Sequence, residues 1–206
     1  SLKAGENITV HYAQSAHLTA AKNVNVGLQL LHCDVTAGES VFVGAKGQRK
    51  SKLVGGVVRA SKTVAAGEIG SLATSRVLVD FSAKLSGLID QRRKMLEVRS
   101  IKDELLEGLE EALDGLKKQQ PTPELIQHCK KIVFTIGKVN KELVQLGDDE
   151  QTLKRKIEEQ RSSISVQVYG CLHPNVDFIV GDQNYSNKME RGGCTLTFLG
   201  KKIIYE

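Results

Sequence analysis

One alternation of apolar and polar positions recurs four times between Leu2 and Ala66. It reads branched aliphatic, any residue, Ala, two small or polar residues, Asn/Ser/Thr, branched aliphatic, any residue, small apolar. The copies are Leu2–Val10, Leu18–Val26, Val35–Val43 and Val58–Ala66, and their alanines (Ala4, Ala20, Ala37, Ala60) are spaced by 16, 17 and 23 residues. Repetition at a near-fixed period is the mark of a solenoid. Alternating Val and Ile suit a pleated, half-buried surface, and the intervening Gly, Asn and Ser suit corners. A period near 17 is too short for a helix pair and fits one coil of a parallel β-helix. Val24, Val41 and Val64 would then stack inward, and Ala20, Ala37 and Ala60 would stack where only a small side chain fits. The alternative is an antiparallel sheet, whose Asn-Gly or Asp-Gly hairpin turns this stretch lacks. The long third interval coincides with Ala45–Lys52, which reads as a loop inserted on one face.

From about Asp80 the period changes. Leu85, Leu88, Met95, Leu106, Leu109, Leu113 and Leu116 occupy a and d positions of a heptad completed by Arg92, Arg99 and Lys102. Pro121-Thr122-Pro123 stops this helix and starts the next. In that next helix Leu125, Ile132, Val139, Leu146 and Leu153 recur every seven residues, each followed four later by Cys129, Ile136, Leu143, Glu150 and Ile157. Two such seams predict an antiparallel coiled-coil hairpin with arms of roughly 40 residues, on the order of 60 Å long. With the turn near 120–123, residues facing each other have numbers summing to about 241, which sets Arg92 against Asp149 and Glu150 and Arg99 near Glu142. Strand alternation resumes at Ile164–Gly170, Val176–Gly181 and Cys194–Gly200, with Gly181–Gly193 read as a polar loop and Ile203–Tyr205 closing the chain. The organisation predicted is β-helix rungs over 1–79, a helical hairpin over 80–163 and returning strands over 164–206. The fold class is mainly β with a long α insertion.

The 206 residues suffice for one or two domains. Aromatics make up 4% with no Trp, which predicts an aliphatic core. A net charge of +5 does not by itself argue for nucleic acid. Cys33, Cys129, Cys171 and Cys194 form no C-x-x-C pair and, with five scattered histidines, no metal-ligand spacing. Reduced thiols in a cytoplasmic protein are the expectation, with no metal and no cofactor. No apolar run approaches the roughly 18 residues of a membrane span, and the opening residues do not read as a signal peptide, so none is expected. The first residues already sit inside a repeat, and solenoids need capped ends, so further chain before Ser1 is expected.

Three stretches, in order, resemble the flagellar assembly protein A family. Leu30-Leu-His32-Cys-Asp-Val35-Thr-Ala37-Gly38 is similar to its I-L-H-S-x-V-x-A-G rung, and Leu53-Val-Gly55-Gly56-Val-Val-Arg-Ala60 to its I-I-G-G-x-x-x-A rung, preceded by Lys46-Gly47. His173-Pro174-Asn175-Val176-Asp-Phe178-Ile-Val180-Gly181 is similar to the returning Y-P-G-V-x-I-x-I-G strand. Cys33, Asn175 and Ser61 depart from the family's Ser, Gly and Gly, and no stretch of these 206 residues resembles its N-terminal domain. The resemblance implies a right-handed β-helix interrupted by a coiled coil, no catalysis, and a role in polar flagellum formation from the cytoplasm at the cell pole. It also implies a link to the sugar phosphotransferase system through its glucose-specific enzyme IIA component.

The chemistry agrees with a binding protein. There is no G-x-S-x-G elbow and no phosphate loop, since Gly44-Ala-Lys-Gly47 is too short for one. Gly55-Gly56 reads as a solenoid corner, and His32 and His173 as wall or corner residues without a sequence-adjacent partner. The basic loop, Lys46, Arg49, Lys50 and Lys52 with Arg59 beyond it, is either a solvated insertion or a dock for an acidic protein surface. Nucleic acid is not expected, because no aromatics interleave these charges. The hairpin tip, Gln119–Glu124, is a second candidate surface. The leading reading is a non-enzymatic scaffold that recruits protein partners. The alternative is a self-associating β-helix module like the bactofilins or the β-helix half of the division-site inhibitor MinC, forming a homo-oligomer. A hexapeptide-repeat acyltransferase is disfavoured by the 16- and 17-residue spacings.

Overall fold

The computed structural model describes residues 1–73, 75–200 and 202–206. In chain order its strands are β1 (Leu2–Ala4), β2 (Ile8–Gln14), β3 (His17–Ala20), β4 (Val24–Ala37), β5 (Val41–Val43), β6 (Lys52–Arg59), β7 (Thr63–Ile69) and β8 (Val77–Asp80). Helices α1 (Ser82–Lys117) and α2 (Pro123–Ser162) follow, then β9 (Ser165–Leu172), β10 (Val176–Val180), β11 (Gln183–Asn187), β12 (Arg191–Leu199) and β13 (Lys202–Tyr205). The chain forms two compact units, Ser1–Ile89 with Ile157–Glu206, and Asp90–Lys156.

The first unit is a β-solenoid whose ladders follow the sequence repeat. Leu2 pairs with Leu18, Leu18 with Val35, and Val35 with Val58, all in parallel. Ala4, Ala20 and Ala37 form the next column. Ile8, Val24, Val41, Val64 and Val166 form a third, and its last four members are fully buried. The polar slots of the repeat stack as well. Asn7 Oδ1 accepts from the Asn23 amide at 3.0 Å, and Asn23 Oδ1 from the Ser40 amide at 3.2 Å. Glu6 pairs with Lys22 and Glu39 with Lys62, each at 2.9 Å. At one corner the backbone turns left-handed at Ser15, His32, Gly55 and Asn175. Registers on either side align the first three of these, Gln14 with Leu31 and Cys33 with Gly56. His32 is therefore a corner residue, and the corner needs glycine above it, because a Cβ on Gly55 would lie 2.3 Å from the His32 ring.

After the helices the ladders continue in parallel, β9 on β7 (Val64 opposite Val166) and β10 on β8 (Val77 opposite Val176). The remaining strands depart from a purely parallel coil. β11 runs antiparallel to β10, β12 to β9, and β13 to β12. The short reversals from β10 to β11 and from β12 to β13 leave no room for the long crossover that a parallel partner requires. The expected polar loop at Gly181–Gly193 thus contains a strand. Gly181-Asp182 makes the tight turn, and Tyr185 and Asn187 point inward. The core here is also not purely aliphatic. Phe198 packs against Phe81, Phe178 and Tyr185 with ring centroids 6.2, 5.9 and 5.3 Å apart. The few aromatics are concentrated where the rungs end.

The second unit consists of the two helical segments. Thr122 Oγ1 caps α2 by accepting from the Leu125 amide at 3.2 Å. Between Arg92 and Leu153, the seam positions read from the sequence are shielded from solvent, Arg99 excepted. The flanking positions are largely exposed.

Candidate interaction surface

The basic loop is built from the inside outward. Ser51, fully buried, donates to the Val43 carbonyl at 2.6 Å and accepts from the Gly67 amide at 2.8 Å. Gln48 closes a tight turn, its amide reaching the Ala45 carbonyl and its side-chain oxygen accepting from the Ala45 amide, both at 2.9 Å. The loop backbone lies across glycines of the next two rungs. A Cβ on Gly67 would meet the Gln48 and Arg49 carbonyls at 2.5 Å, and one on Gly170 would meet the Arg49 carbonyl at 2.8 Å. The solenoid therefore fixes this loop.

Its charges divide into two sets. Lys46, Arg49 and Lys50 are exposed and have no ion-pair or hydrogen-bond partner for their side chains among the described residues. Lys52 and Arg59 lie on β6 and are neutralised, Lys52 by Glu68 at 3.3 Å and Arg59 by Asp34 at 2.5 Å. The five residues expected to act together are three outward charges and two internal ion pairs.

Beyond Lys52 and Glu68, on the same corner, the structure collects groups that their sequence spacing did not join. Cys171 Sγ lies 3.8 Å from His173 Nδ1, which lies 3.5 Å from Glu190 Oε2. Glu68 Oε2 is 4.0 Å from the other ring nitrogen of His173. Burial, followed by the Glu190 and Glu68 carboxylates, pushes the Cys171 thiol above its ordinary pKa. Donors of this kind can hold a metal, although the spacing of the cysteines and histidines along the chain gave no ligand set. The missed signal is the Cys-x-His of Cys171 and His173, completed by Glu190 from the neighbouring strand.

In the helical unit Glu150 gathers three cations, Lys154 at 2.9 Å, Arg92 at 3.0 Å and Arg99 at 3.2 Å. The Lys154 ammonium and then the Arg92 guanidinium hold its carboxyl below the ordinary value. One expected pairing is corrected. Glu142 is taken by Lys102, not Arg99, because Arg99 reaches back to Glu150. Of the two acids set against Arg92, it bonds to Glu150, while Asp149 accepts from Gln145 at 3.1 Å.

A separate open groove of about 450 Å³ runs along Gly56, Val57, Arg76, Leu78 and Asp177. Burial disfavours the Asp177 carboxylate, but hydrogen bonds from Ser186 and Arg76 outweigh it and hold the pKa below the ordinary value. Among the described residues lining it there is no histidine or cysteine to serve as base or nucleophile. The family model described as Flagellar Assembly Protein A beta solenoid domain matches residues 1–203. No curated protein and no solved structure matches the chain.

Proposed function

The chain belongs to the flagellar assembly protein A family, and from that membership we propose that it is a non-catalytic scaffold of flagellar assembly whose fixed basic loop docks an acidic protein surface. The observation that carries this reading is the set of three cations, Lys46, Arg49 and Lys50, unpaired among the described residues, on a loop held by Ser51 and by the glycines beneath it. A fixed loop loses little conformational freedom on binding, and clustered like charge speeds encounter with a partner of opposite sign. The glucose-specific enzyme IIA component of the phosphotransferase system is the proposed partner, and the cell pole the proposed place of work. No helix among the described residues is long and apolar enough to cross a membrane.

The finer architecture belongs to the same proposal. The solenoid is a right-handed parallel β-helix closed by antiparallel strands, a reading supported by its parallel registers. The helical unit is an antiparallel coiled coil. Its ion pairs join early residues of α1 to late residues of α2, as in Arg92 with Glu150 and Lys102 with Glu142.

The test is binding of the purified enzyme IIA component to the chain carrying Lys46→Glu, Arg49→Glu and Lys50→Glu. Association should slow by about tenfold or more and lose most of its salt dependence. Lys52→Gln serves as the comparison, since its charge is already spent on Glu68, and it should slow association far less. Equal association by the triple variant and the parent refutes the docking surface.

A further inference from the structure

We propose that Cys171, His173 and Glu190 form a zinc site that clips the end of β9 to the start of β12. The three donor atoms lie within 4.8 Å of one another. Tetrahedral zinc with ordinary bond lengths would separate a thiolate sulfur from an imidazole nitrogen by about 3.6 Å, and that nitrogen from a carboxylate oxygen by about 3.4 Å. The distances found are 3.8 and 3.5 Å. Small side-chain adjustments therefore close the shell, with water in the fourth position on the exposed Glu190 side.

The surrounding residues already hold these donors in place. Arg191 pairs with Leu172 and Gly192 with Cys171, which brings Glu190 beside the Cys171–His173 segment. Asn187, 2% exposed, donates to the His173 carbonyl at 2.8 Å and to the Met189 carbonyl at 2.6 Å. One buried amide thus ties together the two segments that carry the ligands. The His173 amide is fixed on the Ile69 carbonyl at 2.9 Å. Glu68 faces Nε2 and leaves Nδ1 for the metal, an arrangement in which a carboxylate orients a histidine ligand. Sulfur, nitrogen and a single carboxylate are a donor set suited to zinc, whereas calcium and magnesium take oxygen ligands.

The experiment uses the full chain, stripped by chelator and titrated with Zn²⁺ against a chromophoric competitor and separately with Co²⁺. The expected result is one zinc per chain and a sulfur-to-cobalt charge-transfer band in the near ultraviolet. Cys171→Ser should abolish the band, and Cys194→Ser, which alters a neighbouring thiol outside the set, should keep it. Glu190→Gln changes a carboxylate at an exposed position, so it should leave the fold intact and weaken zinc binding. Glu68→Gln should weaken it by about 10–100-fold, the range for partners that orient a ligand. A parent without the band, a band that survives Cys171→Ser, or zinc affinity unmoved by Glu190→Gln overturns the proposal.

Discussion

A glycine is decisive in this protein where the neighbouring rung leaves no room for a Cβ. At Gly38 that atom would lie 1.9 Å from the Ala21 carbonyl oxygen, so Gly38→Ala must push one rung off another. The expected cost is about 1–3 kcal/mol, the range for overpacking a close-packed interior. Gly108, in α1, has nothing within 4 Å of the same position, and Gly108→Ala should stabilise by about 1 kcal/mol through helix propensity alone. Urea denaturation of both variants checks the opposite signs, and a Gly38→Ala protein as stable as the parent would refute the close approach. The sequence displays the repeat that contains Gly38, but not which of its glycines is crowded. Ala21 and Ser61 fill the equivalent slot in other copies, so the crowding comes from the neighbour and not from the phrase. Asn187 and Glu190 were obscured for a similar reason. They stand in a polar run whose partners, His173 and Cys171, are brought to them only by strand pairing.

At the scale of elements, the seams of α1 and α2 were legible because heptad spacing alone decides which face is shielded. The partners of the polar seam residues were less so, since a long arginine can serve the carboxylate of a neighbouring turn. Arg99 does so, joining Arg92 on Glu150 and leaving Glu142 to Lys102. This cluster gives the helical unit a pH dependence of known sign. The folded Glu150 carboxyl titrates below its ordinary value because Lys154 and Arg92 favour the anion. Its stabilising contribution is therefore complete above the unfolded carboxyl pKa of about 4.3 and is lost as pH falls through the lower folded value. Thermal melts followed by helical circular dichroism should show stability falling below about pH 4 in the parent. A Glu150→Gln variant should be less stable at neutral pH and flatter across that window. Arg92→Glu replaces a charged hydrogen bond with a repulsion beside a nearly buried carboxylate and should cost about 1.5–3 kcal/mol at neutral pH. An Arg92→Glu unit that melts with the parent would show that the pair contributes nothing.

At the scale of the whole molecule, the issue is whether the solenoid depends on the helices that interrupt it in sequence. Its two chain segments are stitched by long parallel ladders, Thr63–Ile69 on Ser165–Leu172 and Val77–Asp80 on Val176–Ile179. The ends of the interruption are anchored in the solenoid itself. Leu85 and Ile157 belong to its buried core, and Lys84 Nζ donates to Ser163 Oγ at 2.6 Å. The repeat made the first segment legible, since one phrase gave the register of four rungs. The second segment was legible only as strands, because antiparallel closure rests on the short β10–β11 and β12–β13 turns and on Phe198 packing against distant aromatics. If burial and ladders alone sustain the solenoid, replacing Asp90–Lys156 with a short Gly/Ser linker should leave it folded, because insertions and excisions are tolerated where the ends lie close together. The excised protein should keep a strand-type circular dichroism spectrum, lose the helical signal, and unfold in one cooperative step. If instead it fails to fold, or retains strands without a cooperative transition, the helical unit is part of what holds the rungs together. The two units would then have to be treated as a single folding entity.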